Sequence, residues 1–378
     1  MQVVTCIEDL REMARKRVAR AIFDYVDRGS YSEHTLRANC ADLELLTLRQ
    51  RVAIDVDRRS TRTTMAGQEV AMPVALAPIG LCGLNWADGE ILAARAAARF
   101  GVPFTLSTMS ICSIEDVAAA VDKPFWFQLY VMRDRGFAAS LIERAKKAKC
   151  SALVLTLDLQ VQGQRHRDIK NGLAVPPVLK WGTALDILRK PGWALNVLRG
   201  KRKSFGNLEG RIPDAKSLTT LSQWVAGQFD PTLSWKDVEW VKKHWGGKLI
   251  LKGILDPDDA KIAMQSGADA IVVSNHGGRQ LDGAVSSIRA LPEIANVVRG
   301  KTEVWFDGGI RSGQDVLKAL ALGARATLVG RAFVYGLGAM GEAGVTRALE
   351  ILRAELDVTM ALCGIKDVKD ASPAILRA

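Results

Sequence analysis

The chain has 378 residues, 48% hydrophobic and 25% charged, which suits a globular protein of one large domain or two ordinary ones. No apolar run reaches the length of a membrane span, and the first nine residues lack the basic start and apolar centre of a signal peptide, so a cytoplasmic location is expected. The net charge of +11 attracts anions, but no recognised nucleic-acid motif accompanies it, and nucleic acid is not an expected partner.

Residues 7–20 read as a helix with a basic face. Tyr25 and Tyr31 follow, then a polar stretch to about residue 72, and residues 1–72 are taken as an N-terminal extension. From Pro73 the pattern becomes regular. Short apolar runs fall at 74–77, 104–106, 125–129, 152–157, 248–251, 270–273, 304–306 and 326–329. Helical patterns fall at 88–100, 114–121, 135–147, 235–245, 257–265, 286–298 and 314–322. Strand and helix in alternation predict a parallel sheet covered by helices. Eight units predict a closed (β/α)8 TIM barrel over residues 73–335, with an open doubly wound sheet as the alternative. A long insertion, 160–234, interrupts the barrel after strand 4, and residues 336–378 form C-terminal helices, the whole chain being one domain. The run Gly336-Leu337-Gly338-Ala339-Met340-Gly341 matches the dinucleotide pattern G-x-G-x-x-G but lies beyond the last strand, and reads as a flexible turn.

The first predicted strand ends in Pro78-Ile79-Gly80, and each later one delivers a polar group at its C-terminal end. In order these are Ser107-Thr108, Gln128 with Tyr130, Thr156 with Asp158, Lys252, Ser274 with His276, Asp307, and Arg331. A barrel gathers all these ends on one face, where active sites of this architecture are built. The sixth end runs Ser274-Asn275-His276-Gly277-Gly278-Arg279-Gln280-Leu281-Asp282-Gly283. A histidine takes protons near neutral pH, an arginine grips a carboxylate with two hydrogen bonds, and the glycines between them let the backbone bend sharply. Together they suggest a site that binds an organic acid and removes a proton from it. Asp307-Gly308-Gly309 with Arg311, and Gly330-Arg331, lie after strands 7 and 8, the usual phosphate cradle of this fold. The six cysteines are scattered without a Cys-x-x-Cys pair, and the four histidines show no metal-ligand spacing, so no metal is expected.

These residues make the chain resemble the FMN-dependent α-hydroxy acid oxidising enzymes over about residues 25–363. The run from Ser274 to Asp282 matches that family's signature, and Ala77-Pro78, Leu106-Ser107-Thr108, Phe127-Gln128-Leu129-Tyr130, Thr156-x-Asp158, Lys252-Gly253 and Asp307-Gly308-Gly309-Ile310-Arg311 occur in the family's order. Within the family the chain looks most like the bacterial quinone-linked L-lactate-oxidising subgroup, through residues 75–83 and 229–237. The resemblance implies FMN as cofactor and a small 2-hydroxy acid as substrate. It implies His276 as the base, Asp158 as its hydrogen-bonded partner, and Arg165, Arg279, Tyr25 and Tyr130 around the substrate. Pro78, Ile79, Gly80, Ser107, Gln128, Thr156, Lys252 and Ser274 would then lie along the flavin. Asp307, Gly308, Gly309, Arg311, Gly330 and Arg331 would hold its ribityl phosphate. A quinone or cytochrome would take the electrons, an oxygen-reducing oxidase being the rival reading and a non-catalytic anion- or nucleic-acid-binding barrel the rival of another class. A homotetramer is the expected assembly. The family usually has proline where this chain has Gln160, in a loop expected to border the substrate.

Within the insertion, Lys180-Trp181, Arg189-Lys190, Trp193, Arg199, Lys201, Arg202 and Lys203 interleave with leucines. Basic residues beside tryptophan and leucine suit an anionic membrane surface, so residues 178–206 are a candidate peripheral anchor on the cytoplasmic face of the inner membrane. The plainer reading is an active-site lid with a solvated basic edge.

Overall fold

Eight parallel strands form a ring in the computed structural model, which describes residues 3–173, 180–210, 212 and 218–377. They are β1 (Val74–Leu76), β2 (Thr105–Ser107), β3 (Trp126–Leu129), β4 (Ala152–Thr156), β5 (Lys248–Ile254), β6 (Ala270–Val273), β7 (Glu303–Asp307) and β8 (Ala326–Val329). Each pairs with its sequence neighbour from β2 through to β8, and β8 pairs with β1. A parallel bridge between Leu76 and Phe104 closes the ring, with the Leu76 N–H donating to the Pro103 carbonyl at 2.8 Å. The open-sheet alternative is thereby excluded.

Two-residue alternation explains the ring. Ala75, Trp126, Ala152, Val154, Ile250, Ala270, Val272, Trp305, Ala326 and Leu328 form one buried cluster, and the residues between them, such as Leu76, Phe127, Leu153, Leu251, Ile271 and Phe306, join a second one with the surrounding helices. Trp126 and Trp305 stack with ring centroids 5.2 Å apart in the first cluster. The hairpin Thr63–Met65 and Gln68–Val70 contributes Met65 and Val70 to the same interior. Helix starts are set by their caps. Ser113 and Asp116 make a capping box, as do Ser312 and Asp315, while the Asp134 side chain accepts from the Phe137 N–H.

The expected helix over 7–20 is two, Ile7–Arg17 and Arg20–Asp27, because Val18 is extended with φ −77° and ψ 144°. The polar stretch before residue 72 holds the helix His34–Leu45 and the hairpin. The Gly336–Gly341 reading is corrected: Gly336 and Gly338 lie inside the helix Arg331–Met340. A first side-chain carbon at Gly336 would stand 2.2 Å from the Gly344 carbonyl oxygen, and one at Gly338 would stand 3.1 Å from Ala14 and Val18. These glycines let this helix pack tightly against Glu342–Cys363 and against Ile7–Arg17.

The insertion carries His166–Lys170, Trp181–Leu188, Pro191–Arg199 and Leu218–Gln228. Residues 178 and 179 of the candidate anchor lie outside the described residues. Two of the side chains expected at its surface point inward. Trp193 is 7% exposed and its indole N–H donates to the Leu84 carbonyl at 2.8 Å, and Arg202 pairs with Asp88 and Asp116 at 2.7 Å each. Trp181 is 87% exposed, and Leu185, Leu188, Leu195 and Leu198 are exposed beside it.

Candidate active site

β6 ends at Val273, and the chain then turns through three successive left-handed residues, His276 (φ 59°), Gly277 (63°) and Gly278 (71°). Glycine adopts that conformation freely, whereas a histidine there costs roughly 1–2 kcal/mol. The turn brings the His276 ring to Asp158, whose carboxylate lies 2.8 Å from Nδ1. Asp158 in turn needs Gly253 at φ +102°, because a first side-chain carbon there would stand 2.6 Å from its carboxyl carbon. Burial opposes ionisation of Asp158, but the charge and hydrogen bond of His276 and the charge of Lys252 outweigh it and lower its pKa. Burial also holds His276 below the ordinary histidine value of 6.5, with Asp158 pulling the other way. A neutral ring that donates from Nδ1 to a carboxylate carries its lone pair on Nε2, the nitrogen of a general base.

Arg165 and Arg279 line the same cleft as His276. Arg279 Nη1 donates to the carbonyls of Tyr25 and, at 2.9 Å, Arg28, and its guanidinium lies 4.7 Å from the centre of the Tyr25 ring. Arg165 Nε donates to the Arg279 carbonyl at 3.3 Å. Burial, then the neighbouring Arg279 charge, pushes Arg165 down to about 10. The carboxylate paired with Arg279 is Asp168, 4.0 Å away, and burial raises the Asp168 pKa. Two crowded, largely enclosed cations suit an anion. Tyr25 and Tyr130 line the cleft beside them, and burial, then the Asp158 charge, pushes the Tyr130 phenol up, so it stays a donor.

A second group suits a flavin. Ser107 Oγ and the Thr108 N–H both donate to Gln128 Oε1, at 3.1 and 3.3 Å, which leaves Gln128 Nε2 buried without a partner. Thr156 Oγ1 is likewise buried and unpartnered. Such atoms mark a missing polar ligand. Lys252 Nζ sits 2.9 Å from both Ser274 Oγ and Asp307 Oδ2. Burial disfavours its charge, but Asp307 and then Asp158 raise its pKa, so the ammonium persists. Pro78, Ile79 and Gly80 continue from β1 along the cleft wall. Gly308 (φ +121°) and Gly309 (φ +93°) come directly after β7, two turns of backbone that a side chain would block. Arg311 lines the cleft just before the helix Gly313–Ala321, while Gly330 and Arg331 begin the next one. Arg331 donates to the carbonyls of Val26, Gly277 and Arg28 at 2.9, 2.9 and 3.1 Å, so much of its hydrogen-bonding capacity holds the fold. Burial lowers it to about 10. Buried amide and hydroxyl groups at one end and a glycine-rich turn with arginines at the other fit FMN.

Of the candidate site residues, Asp158, Gln128 and Ser274 are not part of the cleft lining but hydrogen-bond to His276, Ser107 and Lys252, which are, and the other candidates line it. Gln162 lines the cleft from the loop expected to border the substrate, whereas the sequence reading missed Leu159, Leu173, Phe205, Val225 and Phe229, which also line it. They come from residues 159–229, where no strand-end pattern marks them. Among the described residues, no cluster of histidine, cysteine or acidic side chains is placed to hold a metal ion.

A family model described as FMN-dependent dehydrogenase matches residues 14–378. The chain is 48% identical to L-lactate dehydrogenase of Actinobacillus pleuropneumoniae serotype 5b (strain L20), over 97% of each protein. It is 48% identical to L-lactate dehydrogenase of Caulobacter sp. (strain K31), over 99% of this chain and 98% of that one. Among solved structures it is similar to the monotopic membrane protein (S)-mandelate dehydrogenase, at TM-score 0.95 and 36% identity over all of both chains. A mandelate oxidase with bound (S)-2-phenylpropionate gives TM-score 0.83 and 38% identity over 99% of this chain and 98% of that one. Matched by this model across nearly its whole length, the chain belongs to the family of FMN-dependent dehydrogenases.

Proposed function

We propose that this single-domain enzyme oxidises an L-2-hydroxy acid, lactate first among candidates, to the 2-keto acid. The observation that carries the reading is His276 paired to Asp158 beside the crowded arginines Arg165 and Arg279. The arginines take the substrate carboxylate with Tyr25, and Tyr130 donates to the substrate hydroxyl. His276 Nε2 takes a proton from the substrate, and Asp158 stabilises the resulting imidazolium, as carboxylates do for other catalytic histidines. FMN held in this cleft would supply the chemistry of a two-electron acceptor. Lys252, held by Ser274 and Asp307, balances the negative charge that collects near it. Gln128, Thr156 and Ser107 would hydrogen-bond the flavin ring, Pro78, Ile79 and Gly80 would lie along it, and Gly308, Gly309, Arg311, Gly330 and Arg331 would hold the phosphate. Lactate is favoured by the relatives named for it.

The electrons pass to a quinone or cytochrome, a reading supported by Gly80, where oxygen-reducing relatives commonly carry alanine. The acceptor is reached at the cytoplasmic face of a membrane, on which the insertion rests. Among the described residues no helix is long and apolar enough to cross a membrane. Exposed Trp181, Leu185, Leu188, Leu195 and Leu198, interleaved with exposed Arg189, Arg199, Lys201 and Lys203, suit interfacial contact. The assembly is read as a homotetramer. Turnover of a panel of 2-hydroxy acids with a quinone analogue and with oxygen tests the whole reading. Lactate oxidation coupled to the quinone analogue is the expected result, and no turnover of any 2-hydroxy acid by the FMN-loaded protein overturns it.

A further inference from the structure

The N-terminal extension reaches around the barrel and holds the turn that carries His276. The Ser30 N–H and Oγ donate to the carbonyls of Gly278 and Gln280, at 3.0 and 2.7 Å. Ser32 Oγ and the Thr35 N–H donate to the Asp282 carboxylate at 2.6 and 2.8 Å. There is no slack between the two segments, since a first side-chain carbon at Gly278 would stand 2.5 Å from the Leu36 nitrogen.

The innermost point of this grip is Asn39, on the helix His34–Leu45. Its amide faces that of Asn275 head to tail. Asn39 Nδ2 donates to Asn275 Oδ1, and Asn275 Nδ2 donates to Asn39 Oδ1, both at 2.8 Å. Asn39 Oδ1 also accepts from the Ser287 N–H at 3.2 Å, and Asn275 Oδ1 from the Gly278 N–H at 3.1 Å. Both amides are buried. Asn275 immediately precedes His276, and its side-chain oxygen spans the left-handed residues from one end to the other. A paired amide in a dry setting fixes orientation tightly, because each unmade bond would leave a buried polar atom.

We propose that Asn39 is a positioning residue for His276: through Asn275 it sets the left-handed turn that aims the imidazole. It touches neither Asp158 nor any residue of the carboxylate site through a side-chain hydrogen bond, so its effect passes through the turn. Arg279 has separate tethers to Tyr25 and Arg28, so loss of Asn39 falls on the base more than on the anion site. The inference rests on the reading of His276 as the base.

The test uses the FMN-loaded full chain and monitors flavin bleaching by lactate in single turnovers, beside FMN affinity and thermal stability. H276Q is measured first, and if it bleaches at the parental rate the underlying base assignment fails, independently of Asn39. With that assignment standing, N39A is expected to keep its FMN, to shift KM less than threefold, and to bleach about 10²-fold more slowly, the effect of a small misplacement of a reacting group. Added to H276Q, N39A is expected to cost nothing further, because two residues acting through one base are not additive. Parental bleaching by N39A, or penalties that multiply in the double variant, overturns the proposal. Should N39A not fold, N39D, which keeps the shape but sets a carboxylate oxygen against Asn275 Oδ1 in place of the donating amide, is judged by the same two readouts.

Discussion

Gly253 and Asp158 are fitted to each other: the carboxyl carbon of the aspartate occupies the space, 2.6 Å away, where any side chain at 253 would begin. The fit lies where β5 departs from regular pairing, between Lys252 and Ile254. G253A therefore displaces the partner of His276 and also places alanine at φ +102°. We expect turnover to fall at least tenfold, with a stability loss of roughly 1–3 kcal/mol from the backbone alone. Steady-state rates and thermal melts check this, and parental turnover in G253A would show that Asp158 tolerates displacement.

Replacing the proposed base, His276, should separate chemistry from cofactor binding. H276Q is expected to retain FMN and lose about 10²- to 10⁴-fold in turnover. Absorbance of the bound flavin and the rate with lactate are read on the same sample.

The pH profile carries a sign that can be checked. Burial lowers the His276 pKa and Asp158 raises it, leaving it under 6.5. On the proposed reading the working form is unprotonated, so kcat/KM should be level above that value and fall on its acid side. D158N removes the raising influence, so the acid limb should move to still lower pH. The plateau should drop by roughly 10²- to 10⁴-fold, because the imidazolium formed in turnover loses its partner. An acid limb that moves upward in D158N would refute the assignment.

The two tryptophans of the insertion should behave oppositely. W193A removes a buried side chain and its bond to the Leu84 carbonyl, and should destabilise by about 3–5 kcal/mol. W181A alters an exposed residue and should change stability by no more than about 0.5 kcal/mol, yet weaken sedimentation with anionic vesicles. Binding that is strong at low ionic strength should weaken above about 0.1 M salt. Equal vesicle binding by W181A and the parent would remove Trp181 from the contact.

Much of this was legible in the sequence because the barrel strands carry their own evidence. β3, β6 and β8 are short apolar runs, and each leads into a polar group that only a shared face explains. Asp158 and His276 were paired by resemblance, but nothing local said that Gly253 makes their meeting possible. Asn39 was invisible, being one polar residue in a polar stretch whose partner lies 236 positions away. Trp181 and Trp193 look alike in sequence, and only the Leu84 carbonyl, supplied by the fold, separates them. Gly336 and Gly338 imitated a nucleotide motif because close helix packing and close phosphate approach demand the same missing side chain.

The stacked Trp126 and Trp305, with Met65 from the hairpin beneath, leave the barrel solid at one end. Among the described residues, Phe205, Val225 and Phe229 line the cleft built at the other end of the strands. On the proposed reading the hydroxy acid and an entering electron acceptor share that cleft, so the two half-reactions are expected to alternate, and double-reciprocal plots at several acceptor concentrations should give parallel lines rather than converging ones.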